Sequence, residues 1–362
     1  MELTRQRGYG LDLLRILSML LVVILHLMGA GAVLYPLTPG SLRYAAAWAL
    51  ELTASCAVNC YGLLSGYVGY GRGHPPKKLA GLWLQVFFLS VVLSWGVGFY
   101  FQGSLTLKEL LYPCLPVLTV QYWYFTAYFG LYLLMPYLDR MLAGLDRKQT
   151  GRLMLLLAGL FSALPLLATE DLFTTGGGYT LLWLAVLYLL GACVKKCEPI
   201  ERRPSWQYAL GFAACIALSL AAKLLDAPIT ALLPSGLPLT ARLVSYTSPF
   251  LLGAAAMLLL LFRQWEVKSI LGRRLIAFFA PVSFGVYIIH TNPKVWTHLL
   301  AARLLWVAQL PAPLLLLTVV GIALAVFLGC ALLDFLRLKL FQLVGTLFRR
   351  KAPSDKEPAG RV

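Results

Sequence analysis

Charge is what this sequence has least of. Only 13% of its 362 residues are Asp, Glu, Lys or Arg, and the acidic ones number 15, whereas soluble domains carry about 25% charged residues. A chain this poor in charge has too little polar surface to stay dispersed in water, which excludes a secreted domain, a cytosolic enzyme and a disordered tail. Histidine is scarcer still, at four residues, and none lies at zinc-ligand spacing from cysteine. The seven cysteines are scattered. Cys56 and Cys60, like Cys193 and Cys197, sit four apart on expected helices and read as small packing residues, so neither a metal nor a disulfide is expected. No unit of roughly 20–50 residues recurs, which excludes a solenoid, and the two halves do not repeat in the manner of many transporters.

What the sequence has in excess is apolar surface: 60% hydrophobic residues and a mean hydropathy of +0.77. Apolar runs of roughly 20 residues recur along the chain, each long enough to cross a hydrocarbon core of about 30 Å. The expected fold is therefore all-α and polytopic, with ten spans centred on 9–30, 43–66, 79–101, 121–139, 152–168, 179–194, 206–224, 239–262, 275–291 and 313–336. The opening segment imitates a signal peptide, but Asp12, Arg15 and His26 interrupt its apolar stretch, so it reads as a retained first span. With the N-terminus inside, 24 Lys and Arg residues fall on the cytoplasmic side and six on the other, the asymmetry that orients membrane proteins. Both termini are expected in the cytoplasm. The same asymmetry accounts for the formal net charge of +16 without nucleic acid. Residues 1–345 form the expected membrane domain and 346–362 a disordered basic cytoplasmic tail.

An ionisable side chain inside a bilayer is costly and by default marks function, so the search narrows to a few positions. Arg15 and His26 are eleven apart on the first span, close to three helical turns, and share a face separated by roughly 16 Å of rise. Asp12 joins that face one turn earlier. An imidazole there can take a proton from an attacking hydroxyl near neutral pH. On the ninth span Ser283, Tyr287 and His290 fall on one face, with His290 at a depth like that of His26. The second span carries Glu51, Ser55 and Asn59; Glu51 is either a site group or a helix lock, and Asn59 is a further candidate polar site residue. Ser65-Gly66 reads as close helix packing. The basic loop running from Gly71 to Lys78 carries Arg72, Lys77 and Lys78, which either grip the phosphates of an anionic ligand or simply follow the positive-inside rule. Gln121-Tyr122-Trp123-Tyr124 reads as an aromatic belt at the membrane surface.

In this order the residues resemble the acyltransferase-3 family of integral-membrane acyltransferases. The resemblance rests on Arg15 and His26 with ten residues between them, on Val58-Asn59-Cys60-Tyr61-Gly62-Leu63-Leu64-Ser65-Gly66-Tyr67, and on Arg72 with Lys77 and Lys78. Trp123-Tyr124 through Tyr132-Leu-Leu-Met-Pro136 and Ser283-Phe-Gly-Val-Tyr287-Ile-Ile-His290 complete it. It implies a ten-helix protein of the cell membrane that takes an acyl group, most often acetyl from cytosolic acetyl-CoA. The implied acceptor is a hydroxyl of a cell-envelope or extracellular polysaccharide or glycolipid sugar. By matching positions His26 is the implied base, Arg15 its partner, Arg72 a contact on the CoA side, and Tyr287 and His290 the remainder of the central site. Lys77 and Lys78 stand where a tighter paired-arginine motif is expected. Two other readings of the intramembrane charges stay open: a permease for a small polar solute such as an amino acid, and an assembly subunit whose charges only hold helices together.

Overall fold

The computed structural model describes residues 8–233 and 237–351. Arg5, Arg7 and the part of the expected tail beyond Lys351 lie outside the described residues. Ten principal helices follow in chain order: α1 (Tyr9–Gly29), α2 (Leu42–Gly69), α3 (Pro76–Gln102), α4 (Trp123–Ala143), α5 (Arg147–Leu167), α6 (Leu181–Lys196), α7 (Ser205–Leu224), α8 (Pro249–Gln264), α9 (Ile270–His290) and α10 (Ala312–Lys351). Among the described residues six of them, α1, α3, α5, α7, α9 and α10, are long and apolar enough to cross a membrane. The protein is an all-α, multi-pass membrane protein.

Three of the four helices below that threshold, α2, α6 and α8, fall short for physical reasons. Helix α2 carries Glu51, Ser55, Asn59 and Ser65, which lower its hydropathy, and it is wrapped by α1, α6, α7 and α8. A helix screened from lipid by other helices needs fewer apolar side chains. Helix α6 is only 16 residues long, and its stretch from Val186 to Cys193 is buried without a break. The expected span 239–262 is a correction: it divides into a short helix, Leu239–Leu243, and α8 from Pro249. Pro249 lacks an N–H and restarts the helix at its first position, where Ser248 caps it by accepting from the Phe250 N–H at 3.2 Å.

Close packing of small residues builds the centre. A Cβ on Gly66 of α2 would stand 1.8 Å from the Tyr188 carbonyl oxygen of α6, and one on Gly191 of α6 would stand 2.0 Å from the Leu63 carbonyl oxygen of α2. The two backbones touch reciprocally, as small residues permit between helices that lack a hydrophobic drive to associate. Half of the most apolar window of α1 and of α9 is buried inside the protein, against 17–33% for α3, α5, α7 and α10. Helices α1 and α9, which bear the two candidate histidines, are therefore interior. Irregular backbone from Pro293 to Leu310 closes over the end of α1, with the Ala302 and Leu304 N–H groups donating to the Ala30 and Gly31 carbonyls at 2.9 and 3.0 Å.

Candidate active site

His26 and His290 meet. The His26 Nδ1 and His290 Nε2 atoms are 2.9 Å apart, and His290 Nδ1 is 2.6 Å from the Val286 carbonyl oxygen one turn back on its own helix. A carbonyl only accepts, so His290 Nδ1 carries the hydrogen. Its Nε2 is then the acceptor of the neutral ring and takes the hydrogen bond from His26 Nδ1–H. By this network His26 Nε2 is left with its lone pair free. His290 is 1% exposed and stands behind His26, which lines a cavity of about 440 Å³. Trp296 sets its ring edge against His26, at a centroid distance of 5.4 Å.

That cavity is an aromatic chamber. Tyr287 lines it, as do Trp48, Trp123, Tyr179 and Tyr246, and so does Glu51. The Glu51 Oε2 atom is buried with no hydrogen-bond partner among the described residues, so it is free to accept from a ligand hydroxyl.

A second cavity of about 330 Å³ lies on the other side of a partition, lined by Arg15, Arg72, His74 and Lys78. We term it the basic chamber. Arg15 Nη1 donates to Asp12 Oδ1 at 2.8 Å. Pro75 and Pro76 start α3 immediately after the loop, which sets Lys78 in the helix's first turn. His74 Nε2 is 3.1 Å from Asp139 Oδ2, and the Tyr188 hydroxyl donates to Asp139 Oδ1 at 2.6 Å, so the loop is tied to α4 and α6. Tyr61, Tyr124 and Phe284 line both chambers.

Of the residues expected at a site, His26, Tyr287 and Glu51 share the aromatic chamber, with His290 behind His26. Arg15, Arg72 and Lys78 share the basic one, and Asp12 contacts it through Arg15. Lys77 is exposed and lines neither chamber. Asn59 is a helix lock: it is fully buried, donates to the Tyr246 carbonyl at 2.8 Å and accepts from Trp183 Nε1 at 3.0 Å. Ser283 is turned to its own helix and donates to the Phe279 carbonyl at 2.8 Å. The aromatic-belt reading of 121–124 is corrected as well. Tyr122 is 1% exposed, and Gln121 accepts from the Ser90 hydroxyl at 2.9 Å.

Sequence reasoning missed the buried pair on α10. Asp334 is fully buried and receives Arg337 Nε at 2.6 Å and Nη2 at 3.1 Å, with Gln85 Nε2 at 3.2 Å. An Asp three residues before an Arg in an apolar helix was the available signal. It also missed the His74–Asp139–Tyr188 cluster, whose members come from three elements distant in sequence.

A family model described as an acyltransferase domain matches residues 9–334. The chain belongs to the acyltransferase-3 family. No curated protein and no solved structure matches it. This acyltransferase is thus an enzyme embedded in a membrane, and its family uses an acyl-CoA donor on a hydroxyl group. The match covers every helix that lines either chamber. It also decides between enzyme and permease, since the intramembrane charges alone suit both.

Proposed function

We propose that this acyltransferase moves an acetyl group from cytosolic acetyl-CoA to a sugar hydroxyl of a cell-envelope or extracellular polysaccharide or glycolipid, with His26 as general base. The observation that carries the reading is the pair of unlike chambers meeting at one partition. The basic chamber suits a polyanionic donor, because Arg15, Arg72 and Lys78 offer charge-assisted hydrogen bonds to phosphates. The aromatic chamber suits a sugar, which presents apolar ring faces to aromatic walls and hydroxyls to Glu51 and His26. In this reading all ten helices span the plasma membrane, the termini and the basic chamber face the cytosol, and residues 1–345 act as the membrane unit with 346–362 as a cytoplasmic tail. Lys77 meets the donor only from the chamber's rim.

The chemistry follows from the tautomers. The acceptor hydroxyl gives its proton to His26 Nε2 as its oxygen attacks the thioester carbonyl. His290 holds His26 in the competent tautomer and shares the charge of the imidazolium through their hydrogen bond, the part that a buried carboxylate plays in a serine hydrolase. Tyr287, in the same chamber, donates to the tetrahedral oxyanion. Collapse breaks the carbon–sulfur bond, and the proton on His26 leaves with the CoA thiolate. Arg15, the implied partner of His26, belongs in this scheme to the donor.

The test is transfer of labelled acetyl from acetyl-CoA to envelope glycan by the purified, reconstituted protein. Ester should form with the native protein and not with His26→Ala. Full turnover by His26→Ala would remove the imidazole from the mechanism.

A further inference from the structure

We infer that Tyr61, Tyr124 and Phe284 form an acyl-length filter between the chambers, with Phe284 the residue that sets the longest acyl group admitted. The inference deepens the acetyl-transfer reading and rests on it.

The donor's phosphates belong with Arg72 and Lys78, but the base is in the other chamber. Along α1 alone Arg15 and His26 are separated by about 16 Å of rise. Reaction requires the thioester carbonyl within roughly 3–3.5 Å of the hydroxyl held at His26. The acyl end must therefore lead the donor's arm out of the basic chamber and past the three side chains that both chambers share. Those side chains come from α2, α4 and α9. The Tyr61 and Tyr124 rings are 6.2 Å apart and edge to face, and Tyr124 and Phe284 lie 6.1 and 6.1 Å from the Tyr287 ring. Aromatic rings at such separations are in contact, so Tyr61 closes on Tyr124 while Tyr124 and Phe284 both pack on Tyr287.

The three rings are not equally free to give way. The Tyr61 hydroxyl donates to the Arg15 carbonyl at 2.8 Å, which anchors its ring to α1. Tyr124 stacks nearly parallel on Tyr128, at an interplanar angle of 12°. Phe284 has no polar anchor and rests on Phe125 and Tyr287. It is the ring whose displacement costs least, so its volume decides what passes. A long acyl chain that crossed would also compete with the acceptor for the aromatic chamber. Selectivity of roughly 10- to 200-fold per methylene is typical of an apolar constriction.

The experiment measures kcat/KM for acetyl-, butanoyl- and hexanoyl-CoA with one acceptor, on the reconstituted full chain. The native protein should favour acetyl over hexanoyl by at least about tenfold. Phe284→Ala should raise the butanoyl-to-acetyl ratio by at least about tenfold, and Phe284→Leu should move it less in the same direction. Phe284→Leu keeps the inference testable if the alanine variant fails to fold. Leu82 lines the basic chamber and not the aromatic one, so Leu82→Ala should leave the ratio alone. Equal use of all three donors by the native protein, an unmoved ratio in both Phe284 variants, or an equal rise in Leu82→Ala would overturn the filter. Absence of any acetyl transfer by the native protein would instead overturn the function on which it rests, and the filter with it.

Discussion

The two chambers differ in how firmly they hold their chemistry. In the aromatic chamber the proposed reacting groups sit on α1 and α9, the interior helices, and His26, the proposed base, is fixed through His290 to the Val286 carbonyl. In the basic chamber Arg15 and His74 are tied to Asp12 and Asp139, but Arg72 and Lys78 are exposed on a loop and a helix's first turn. The difference matches what each chamber is asked to do. Proton transfer fails when atoms are misplaced by about 1 Å, whereas attraction between cations and a polyphosphate tolerates slack. Rigid helices suit the first proposed task, and an exposed cationic rim suffices for the second.

The sharpest way to break this contrast is to remove one group from each chamber and compare kcat with KM. His26→Ala should lower kcat by about 10²–10⁴-fold while leaving the KM for the donor nearly unchanged. His290→Ala should cost less than that and also shift the pH–rate profile, because it frees the His26 tautomer without removing the ring. If His290→Ala left both rate and pH profile unchanged, the fixed geometry of the aromatic chamber would have no catalytic meaning.

A second test asks whether α9 is held in place from behind. A Cβ on Gly285 of α9 would stand 2.1 Å from the Asp334 carboxyl carbon, so the glycine is what lets the buried pair approach. Asp334→Ala strands Arg337 in an apolar setting and should destabilise the protein by about 3–5 kcal/mol in detergent unfolding. Asp334→Leu combined with Arg337→Leu removes both charges and should recover most of that loss. A double variant as unstable as the single one would mean that the pair does more than fill space.

A smaller effect should separate the chambers by substrate. Arg72→Ala and Lys78→Ala should each raise the KM for acetyl-CoA by about tenfold, equivalent to about 1.4 kcal/mol, with kcat little changed. The effect should shrink as salt rises, because these side chains are exposed. A fall in kcat at saturating donor would place them nearer the reacting atoms than the basic chamber lies.

How much of this was legible beforehand depended on whether a residue's chemistry clashed with its surroundings. His26, Arg15 and His290 stand out because an ionisable group in an apolar run has few innocent explanations. Helix positions followed from the same apolar runs, and they failed mainly at Pro249, where a break inside an apolar stretch was read through. The partition was not legible. Tyr124 in a Gln-Tyr-Trp-Tyr cluster looks like any interfacial aromatic, and Tyr61 and Phe284 look like core. Their meaning comes only from three helices converging. Asp334 and Arg337 were hidden differently, since charges near the end of the last expected span, 313–336, read as membrane-surface residues until burial shows otherwise.

The smallest expected effect concerns how the irregular segments around the chambers are fastened, and it draws on acid titration. On the side of the helix ends near His290, Glu109 is paired with Lys294, just beyond α9. The hydrogen bond from Lys294, then those from Thr106, pull the Glu109 carboxyl below its ordinary 4.5 to about 2. Near the basic chamber's side Glu198 is also held low. Burial pushes it up, but hydrogen bonds from Lys195 and Tyr67 and the charges of Lys195 and Arg263 outweigh that. A depressed carboxylate contributes stability that is complete above its unfolded pKa and is lost as pH falls through the folded one. For Glu109 the window therefore runs downward from about 4.5 to about 2. Both side chains keep part of their surface in solvent, so the contribution of the pair should be modest and weakened by salt. Glu109→Gln should lower the melting temperature slightly at neutral pH, and the native and variant curves should converge as pH falls through that window. Glu198 titrates in both proteins, so the difference between the curves isolates Glu109. Curves that stay parallel down to pH 2 would show that the Glu109–Lys294 pair does not fasten this edge.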